Sequence, residues 1–535
     1  MKSRLLRLEA LEPRQVLAAD AGTTTDIAVE GAPPIVIQSG PDAGNVRYPV
    51  SMVEVNGEVV VRTLDGLFNV GTAGERADLI GVFLPTYTLE LDPVHLAVFH
   101  DEVYLDYTDR DGVLQLWRTN NGGGFATRIP LPDAPVAAKM IDSAVLGDAL
   151  YFITDTLTTR ALWRTDGSDA GTYKVVDLEK HLVDYGGYYE ADQPHLTTVN
   201  GVLLFQGFDR DHGSELWRSD GTAAGTRLLA DLNPATMSLG VLGDLNEDGK
   251  VNLFDFGLFK EHFGWRAGSG EAVPFALREF TEDGDIDLED FGLFKASFGN
   301  PVERRAGHGS SPGAMFVRGD QAYFFASDAV HGAELWVTDG AEAGTHLAVD
   351  IRPGIYPSVS TPYPPIVARG DEMVFFADDG VQGRQVWQSD GTPQGTRMLT
   401  TTLPQTPADL EHSSLVVWRD FVFFSALADP LRNDKFAIWR TDGTPEGTLA
   451  LTSLFKTNNS TAPQLSAAGD RVFITDRYFT ERIWQTDGTA EGTHPAETTA
   501  RAFRVLGWSQ TLFFQQGDFL WRTDGTEAGT KVTGR

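Results

Sequence analysis

The 535-residue sequence contains no cysteine. Disulfides, thiolate metal sites and cysteine nucleophiles are therefore excluded, and the fold must rest on a hydrophobic core, which a chain of this length can build without covalent staples. Basic residues are scarce as well: 43 Lys and Arg stand against 75 Asp and Glu, a net charge of -32. A surface of that sign repels nucleic acid and anionic membranes, leaving cations and neutral polymers as partners. No apolar run approaches the ~20 residues that span a bilayer, so no membrane insertion is expected. Also missing are H-E-x-x-H, a phosphate-binding glycine loop and a recognisable Ser/His/Asp order. Among 75 acidic residues, spacing alone singles out no carboxylate pair for glycoside cleavage, so catalytic residues stay unassigned.

What is abundant is one cassette. LWRTDGSDAGT, LWRSDGTAAGT, LWVTDGAEAGT, VWQSDGTPQGT, IWRTDGTPEGT, IWQTDGTAEGT and LWRTDGTEAGT are anchored on Trp163, Trp217, Trp336, Trp387, Trp439, Trp484 and Trp521. LWRTNNGGGFAT around Trp117 is an eighth copy without the Asp-Gly pair, and a fainter ninth has Phe68 in the tryptophan position. A fixed unit recurring every ~50 residues marks a repeat architecture in which each element buries its apolar face against its neighbours. Only the interval from Trp217 to Trp336 is anomalous, being more than double any other, and it conceals an insertion.

Each unit reads as four short strands. Before and after Trp336 these are AMFVRGD, AYFFAS, AELWVT and THLAVDI, rich in β-branched and aromatic residues and bounded by Gly, Asp and Pro. Four antiparallel strands repeated eight or nine times predict an all-β propeller, divided by the insertion into 46–234 and 313–535. The Asp-Gly pair predicts a tight turn in which both residues take positive φ and the flanking hydroxyls bond backbone groups. The tryptophan should stack on the adjacent blade. These residues are read as structural, because a binding site does not need so many copies of itself. His212 and His331, each five residues before its tryptophan, share that reading as loop-packing residues. The cassette resembles the ELWxxDGT repeat of bacterial surface proteins over most of residues 50–535; its turn also has a likeness to the Asp-box of sialidase-like propellers, with a different residue order.

The N-terminal segment 1–20 carries Lys2, Arg4, Arg7 and Arg14 and the small pair Ala18-Ala19, but charge interrupts the apolar stretch of an ordinary secretory signal. Leu11-Glu12-Pro13-Arg14, with Val16-Leu17 following, resembles the LEPR-XLL segment of exported planctomycete proteins. That resemblance implies export to the cell surface or beyond. Residues 21–45, rich in Thr, Gly, Ala and Pro, read as a flexible linker.

The insertion, 235–312, carries the chemistry. In DLNEDGKVNLFD, Asp244, Asn246, Asp248, Lys250, Asn252 and Asp255 fall at positions 1, 3, 5, 7, 9 and 12 of a calcium loop, with Gly249 at the sharp bend. Hard oxygen donors alternate toward one centre, and position 7 contributes a backbone carbonyl whatever its side chain. A second copy follows, with Glu279, Thr281, Asp283, Asp285, Asp287 and Asp290 in the same positions. Glu and Thr in its first two places make the weaker donor set. Each loop leads into a helix, FGLFKEHFG and FGLFKASFG, whose Phe256, Phe259, Phe291 and Phe294 are expected to pair the two helices. Tandem loops of this kind resemble a type I dockerin over 241–300. The resemblance implies Ca2+ as cofactor, an EF-hand-like helical insertion and a cohesin-like protein partner, although positions 10 and 11 hold Leu253-Phe254 and Leu288-Glu289 where that family often has small hydroxylated residues.

Two readings follow. One is an exported, non-catalytic, monomeric scaffold that binds protein or surface polysaccharide and attaches through its dockerin-like module. The other is a carbohydrate-active enzyme, an O-glycosyl hydrolase tethered by that module. Replacing both Asp244 and Asp248 with Ala should abolish the tighter of two calcium-binding events in calorimetry and leave the melting of the ring nearly unchanged. Loss of the tighter event on Glu279→Ala instead would reverse the assignment.

Overall fold

The computed structural model describes most of residues 49–234 and 309–533, the strands Thr24–Ile27 and Ile35–Gln38, and isolated positions between 256 and 295. Nine antiparallel four-stranded sheets follow one another, each made of four strands consecutive in sequence. They span 49–82, 96–129, 139–178, 197–230, 316–349, 367–398, 415–456, 464–495 and 503–532, blades 1 to 9. First strands adjoin one another around the axis: Pro49–Val55 of blade 1 lies beside Leu96–Phe99 of blade 2 and also beside Phe503–Trp508 of blade 9. The chain is thus a closed nine-bladed β-propeller. The faint copy at Phe68 is a full blade, and the eight-bladed alternative falls away. Within 21–45 the two short strands form a hairpin, with Ile35–Gln38 beside Ala77–Val82, the fourth strand of blade 1.

The second strands explain how the ring holds together. In blade 5 this strand is Gln321–Asp328, QAYFFASD, with residues 322–326 all buried. Ala322, Phe324 and Ala326 join the core shared with blade 4, while Tyr323 and Phe325 join the core shared with blade 6. A period of two therefore distributes an uninterrupted apolar run over two opposite faces, as expected of a strand covered on both sides. The cassette tryptophan completes each joint: Trp117, Trp163, Trp217, Trp336, Trp387, Trp439, Trp484 and Trp521 all pack in the cluster shared with the preceding blade. Pairing with the fourth strand slips at Leu162/Trp163, Leu216/Trp217, Leu335/Trp336 and Ile438/Trp439, and at Leu67/Phe68 in the faint copy. That shared irregularity identifies Phe68 as the structural equivalent of the tryptophans.

The DGT turn works differently from the sequence expectation. In blade 3 it joins the third strand, Arg160–Thr165, to the fourth, Tyr173–Leu178. Only its glycine has positive φ, 88° at Gly167. Asp166 acts through its side chain: Oδ1 accepts Ser168 N at 3.0 Å and Ser168 Oγ at 2.6 Å, and Gly171 N donates to Ser168 Oγ at 3.0 Å. Thr165 Oγ1 and Thr172 Oγ1, 2.7 Å apart, tie the two ends together. The network recurs around Asp220, Asp390, Asp442, Asp487 and Asp524. In blade 5, Ala341 lacks the central hydroxyl; Gly344 N turns to Ala341 O at 3.1 Å, and Glu342–Gly344 tightens into a 3-10 turn. The second glycine of each cassette is required by space, since a Cβ on Gly171, Gly225 or Gly447 would overlap the Asp carboxyl. Hydrogen bonds from the Ser or Thr side chain and backbone hold Asp166, Asp220 and Asp390 below the usual carboxylate range.

A second set of ties was not visible in the motif. Asn200 Nδ2 donates to Asp320 O at 2.8 Å and Asp339 O at 2.9 Å, and Arg318 donates to Asp371 O at 2.6 Å and Asp390 O at 2.7 Å. Arg369 repeats the pattern toward Asp420 O and Asp442 O. Each of these residues, near the turn between first and second strands, clamps two loops of the next blade. Trp163, fully buried and donating to Thr154 Oγ1 at 3.0 Å, is the sharpest probe of the joints. Trp163→Ala should lower stability by about 3–5 kcal/mol in denaturant unfolding, whereas truncating an exposed side chain such as Tyr173 should stay within about 0.5 kcal/mol; equal effects would show that the joints do not rest on the tryptophans.

Candidate functional site

The meander puts the connections between second and third strands, and between one blade and the next, on one face of the ring. The DGT turns and the connections between first and second strands lie on the other. The insertion leaves from the first of these faces, and the acids that anchor it come from the cassette itself. In SELW of blade 4, Glu215 is fully buried. Its carboxylate accepts Leu232 N at 3.1 Å and Asn233 N at 3.3 Å on the outgoing side, and Ser310 N at 2.8 Å and Ser310 Oγ at 2.5 Å on the returning side. Asn233 Nδ2 donates to Gly309 O at 3.2 Å and Ser311 N to Ser214 O at 2.9 Å. The two ends of the insertion are therefore stitched together at the ring. Residues 309–313 belong to that stitching, because Gly313 N also bonds Phe325 O and Ser327 N bonds Ser310 O, each at 2.9 Å.

Blade 5 repeats the device without an insertion. Glu334, in AELW, accepts Ile351 N at 2.8 Å and Arg352 N at 3.3 Å, while Ser358 N and Oγ donate to Ala333 O at 3.0 and 2.9 Å. Residues 353–357 fill the gap that 234–309 fill in the blade before. Burial pushes both glutamates up to about 7; hydrogen bonds from Ser310 and Leu232 to Glu215, and from Ile351 and Arg352 to Glu334, act against burial, and Asp231 and Asp350 act with it. His212 and His331 sit beside these clamps, each within the loop between second and third strands. His212 Nδ1 lies 2.9 Å from Asp209 Oδ1 and His331 Nδ1 lies 2.8 Å from Asp328 Oδ2, and these pairings raise both imidazoles above their ordinary value. The histidines pack their own loops. Their recurrence was legible; the buried glutamates were missed, although only these two cassettes read HGxELW.

Each of these acids and histidines is hydrogen-bonded within its own loops. One Ser–His contact joins blades 2 and 3, where His95 Nε2 lies 2.8 Å from Ser143 Oγ and burial lowers the imidazole. The neighbouring Asp142 is turned elsewhere, accepting Leu196 N at 2.7 Å and Ser143 N at 2.8 Å. Among the described residues no three His, Asp or Glu side chains converge to hold a metal ion. All twelve loop residues named above, Asp244, Asn246, Asp248, Lys250, Asn252 and Asp255 with Glu279, Thr281, Asp283, Asp285, Asp287 and Asp290, lie outside the described residues. The phenylalanines that follow them are described: the ring centroids of Phe259 and Phe294 are 5.1 Å apart, and Phe256 lies 6.0 Å from both Phe291 and Phe294. Phe263, near the end of the segment FGLFKEHFG, is 47% exposed.

Glu215 and Glu334 give the ring a pH signature. Each carboxyl keeps its proton to about 7 in the folded ring, against 4.5 when exposed. The folded state thus binds more protons between these values, so this contribution to stability is full below about 4.5 and is lost as pH rises through about 7. Melting temperature should fall over that window, and the fall should shrink in a Glu215→Gln, Glu334→Gln variant; an unchanged slope would locate the pH dependence elsewhere.

No protein-family model matches the chain, and no curated protein does. Among solved structures, the computationally designed Ika8 protein is similar at a TM-score of 0.38 and 12% identity, covering 81% of this chain and 96% of that one. Apo AztD from Citrobacter koseri is similar at 0.34 and 8%, covering 83% and 92%. Both likenesses are distant.

Proposed function

We propose that this protein is an exported, non-catalytic binding scaffold whose ring engages protein or polysaccharide at the cell surface, and whose insertion attaches it through calcium. The observation that carries this reading is the use made of the buried acids. Glu215 and Glu334, two buried carboxyls pushed up to about 7, are occupied by backbone and serine donors that hold loops. A glycoside hydrolase needs its two carboxyls facing a sugar across a cleft.

The insertion supplies the second half of the proposal. Asp244, Asn246, Asp248, Asn252 and Asp255, with the carbonyl of Lys250, form an all-oxygen donor set suited to Ca2+, and the Glu279 to Asp290 set is its weaker counterpart. The paired phenylalanines after each loop suit a small helical unit with its own apolar centre. Its stitched stem lets such a unit project from the ring without disturbing the blades, since lengthening a loop costs only about 0.6 kcal/mol per doubling.

The test uses the full chain with a type I cohesin module and a panel of insoluble polysaccharides, in calcium or in chelator. Calcium-dependent retention on the cohesin, lost in the Asp244→Ala, Asp248→Ala variant, is the expected result. Calcium-independent binding would remove the attachment role. Release of reducing ends from any polysaccharide would replace the scaffold reading with that of a tethered hydrolase. Excising 235–308 and bridging with Gly-Ser should leave a cooperatively unfolding ring.

A further inference from the structure

Four large apolar side chains stand apart in exposure among the described residues: Val330 at 63%, Ile355 at 65%, Tyr356 at 62% and Val381 at 86%, the other exposed ones ranging from 37 to 47%. All four lie on the face that carries the insertion stem. Val330 is between the second and third strands of blade 5, Ile355 and Tyr356 are between blades 5 and 6, and Val381 is between the second and third strands of blade 6. They are neighbours in space. The backbone of 355–357 packs on Gly332, two residues from Val330, so closely that a Cβ there would meet Ile355 O at 2.8 Å and Pro357 N at 2.9 Å. The Arg352 side chain lies against Gly380, next to Val381.

Arg352 also sets the centre of the patch. Its guanidinium is 5.4 Å from the Tyr356 ring centroid and is held by Asp378 Oδ2 at 3.5 Å and Pro357 O at 3.4 Å. One face of the tyrosine is therefore fixed on a cation and the rest of the ring is presented outward. An ordered Tyr and Arg ringed by aliphatic residues has the composition of a protein-binding hot spot. A sugar platform would expose aromatic faces, whereas three of these four residues are aliphatic. The charge of the partner follows from the rim. Asp379 accepts Val381 N at 2.9 Å and Gln382 N at 2.7 Å, and no cation pairs with it among the described residues. The chain as a whole carries -32, so a second copy would be repelled.

We infer that the patch formed by Val330, Ile355, Tyr356 and Val381 docks a protein whose contacting segment carries apolar side chains flanked by Lys or Arg. The inference rests on the ring being a binding scaffold and is independent of the calcium loops, so the cohesin experiment and the following one can fail separately.

The probe is a phage-displayed random peptide library selected on the full chain, with parallel selections on a Tyr356→Ser, Val381→Ser variant and on Asp379→Lys. Peptides with an apolar core and basic flanks should be enriched on the native chain. As synthetic peptides they should bind the double variant roughly tenfold more weakly, and Asp379→Lys should weaken them several-fold. Enrichment that is equal on all three chains, enrichment of acidic peptides, or no enrichment would overturn the proposal. So would loss of self-association in sedimentation, or of oligosaccharide binding on a glycan array, as the sole effect of the double variant. Melting curves verify that the variants are folded; if the double variant melts early, the Val381→Ser single variant takes its place.

Discussion

A four-stranded blade has two apolar faces and can bury neither by itself. Everything else in this ring follows from that constraint. The second strand of each blade sends alternate side chains to opposite neighbours, as Phe324 and Phe325 do, and the cassette tryptophan closes the joint on the preceding blade. Because each joint needs the next, the series is stable only when blade 9 meets blade 1, and it does so through first strands that adjoin around the axis. In the absence of cysteine, these joints and the backbone ladders carry the stability of the ring.

The two faces of the ring are built to different rules. On the DGT face the turns of blades 3 to 9 are near copies, an Asp carboxylate accepting the amide and, except in blade 5, the hydroxyl two residues on, and those of blades 5, 6 and 7 are gripped from the preceding blade by Asn200, Arg318 and Arg369. Uniformity there suits a structural lattice. On the opposite face the loops differ in length and chemistry from blade to blade. The acids Glu215 and Glu334 keep those loops anchored however much chain lies between the anchor points, which is how blade 4 tolerates an insertion that blade 5 lacks. The exposed apolar patch on blades 5 and 6 is on this variable face as well. A constant scaffold thus presents variable connections, the surface to which the proposed recognition is assigned.

How much was legible in the chain itself differs from element to element. The repeat determined the all-β propeller, and its spacing located both the blades and the insertion, because a period of ~50 residues and an alternation of two are direct imprints of burial on both faces. Phe68 was readable as a cassette residue, yet only its slipped pairing with the fourth strand, shared with the tryptophans, made blade 1 a blade. The Asp of the DGT turn was recognised as a turn residue, but its route, side-chain acceptance in place of positive φ, is a matter of three-dimensional geometry. The spacing of Asp244, Asn246, Asp248, Asn252 and Asp255 is local, so the proposal of a calcium loop there rests on the sequence alone. Glu215 meeting Ser310 across the whole insertion, and Val330, Ile355, Tyr356 and Val381 converging from three separate loops, were decided by the tertiary structure alone, because contacts between residues far apart in sequence leave no periodic trace in it.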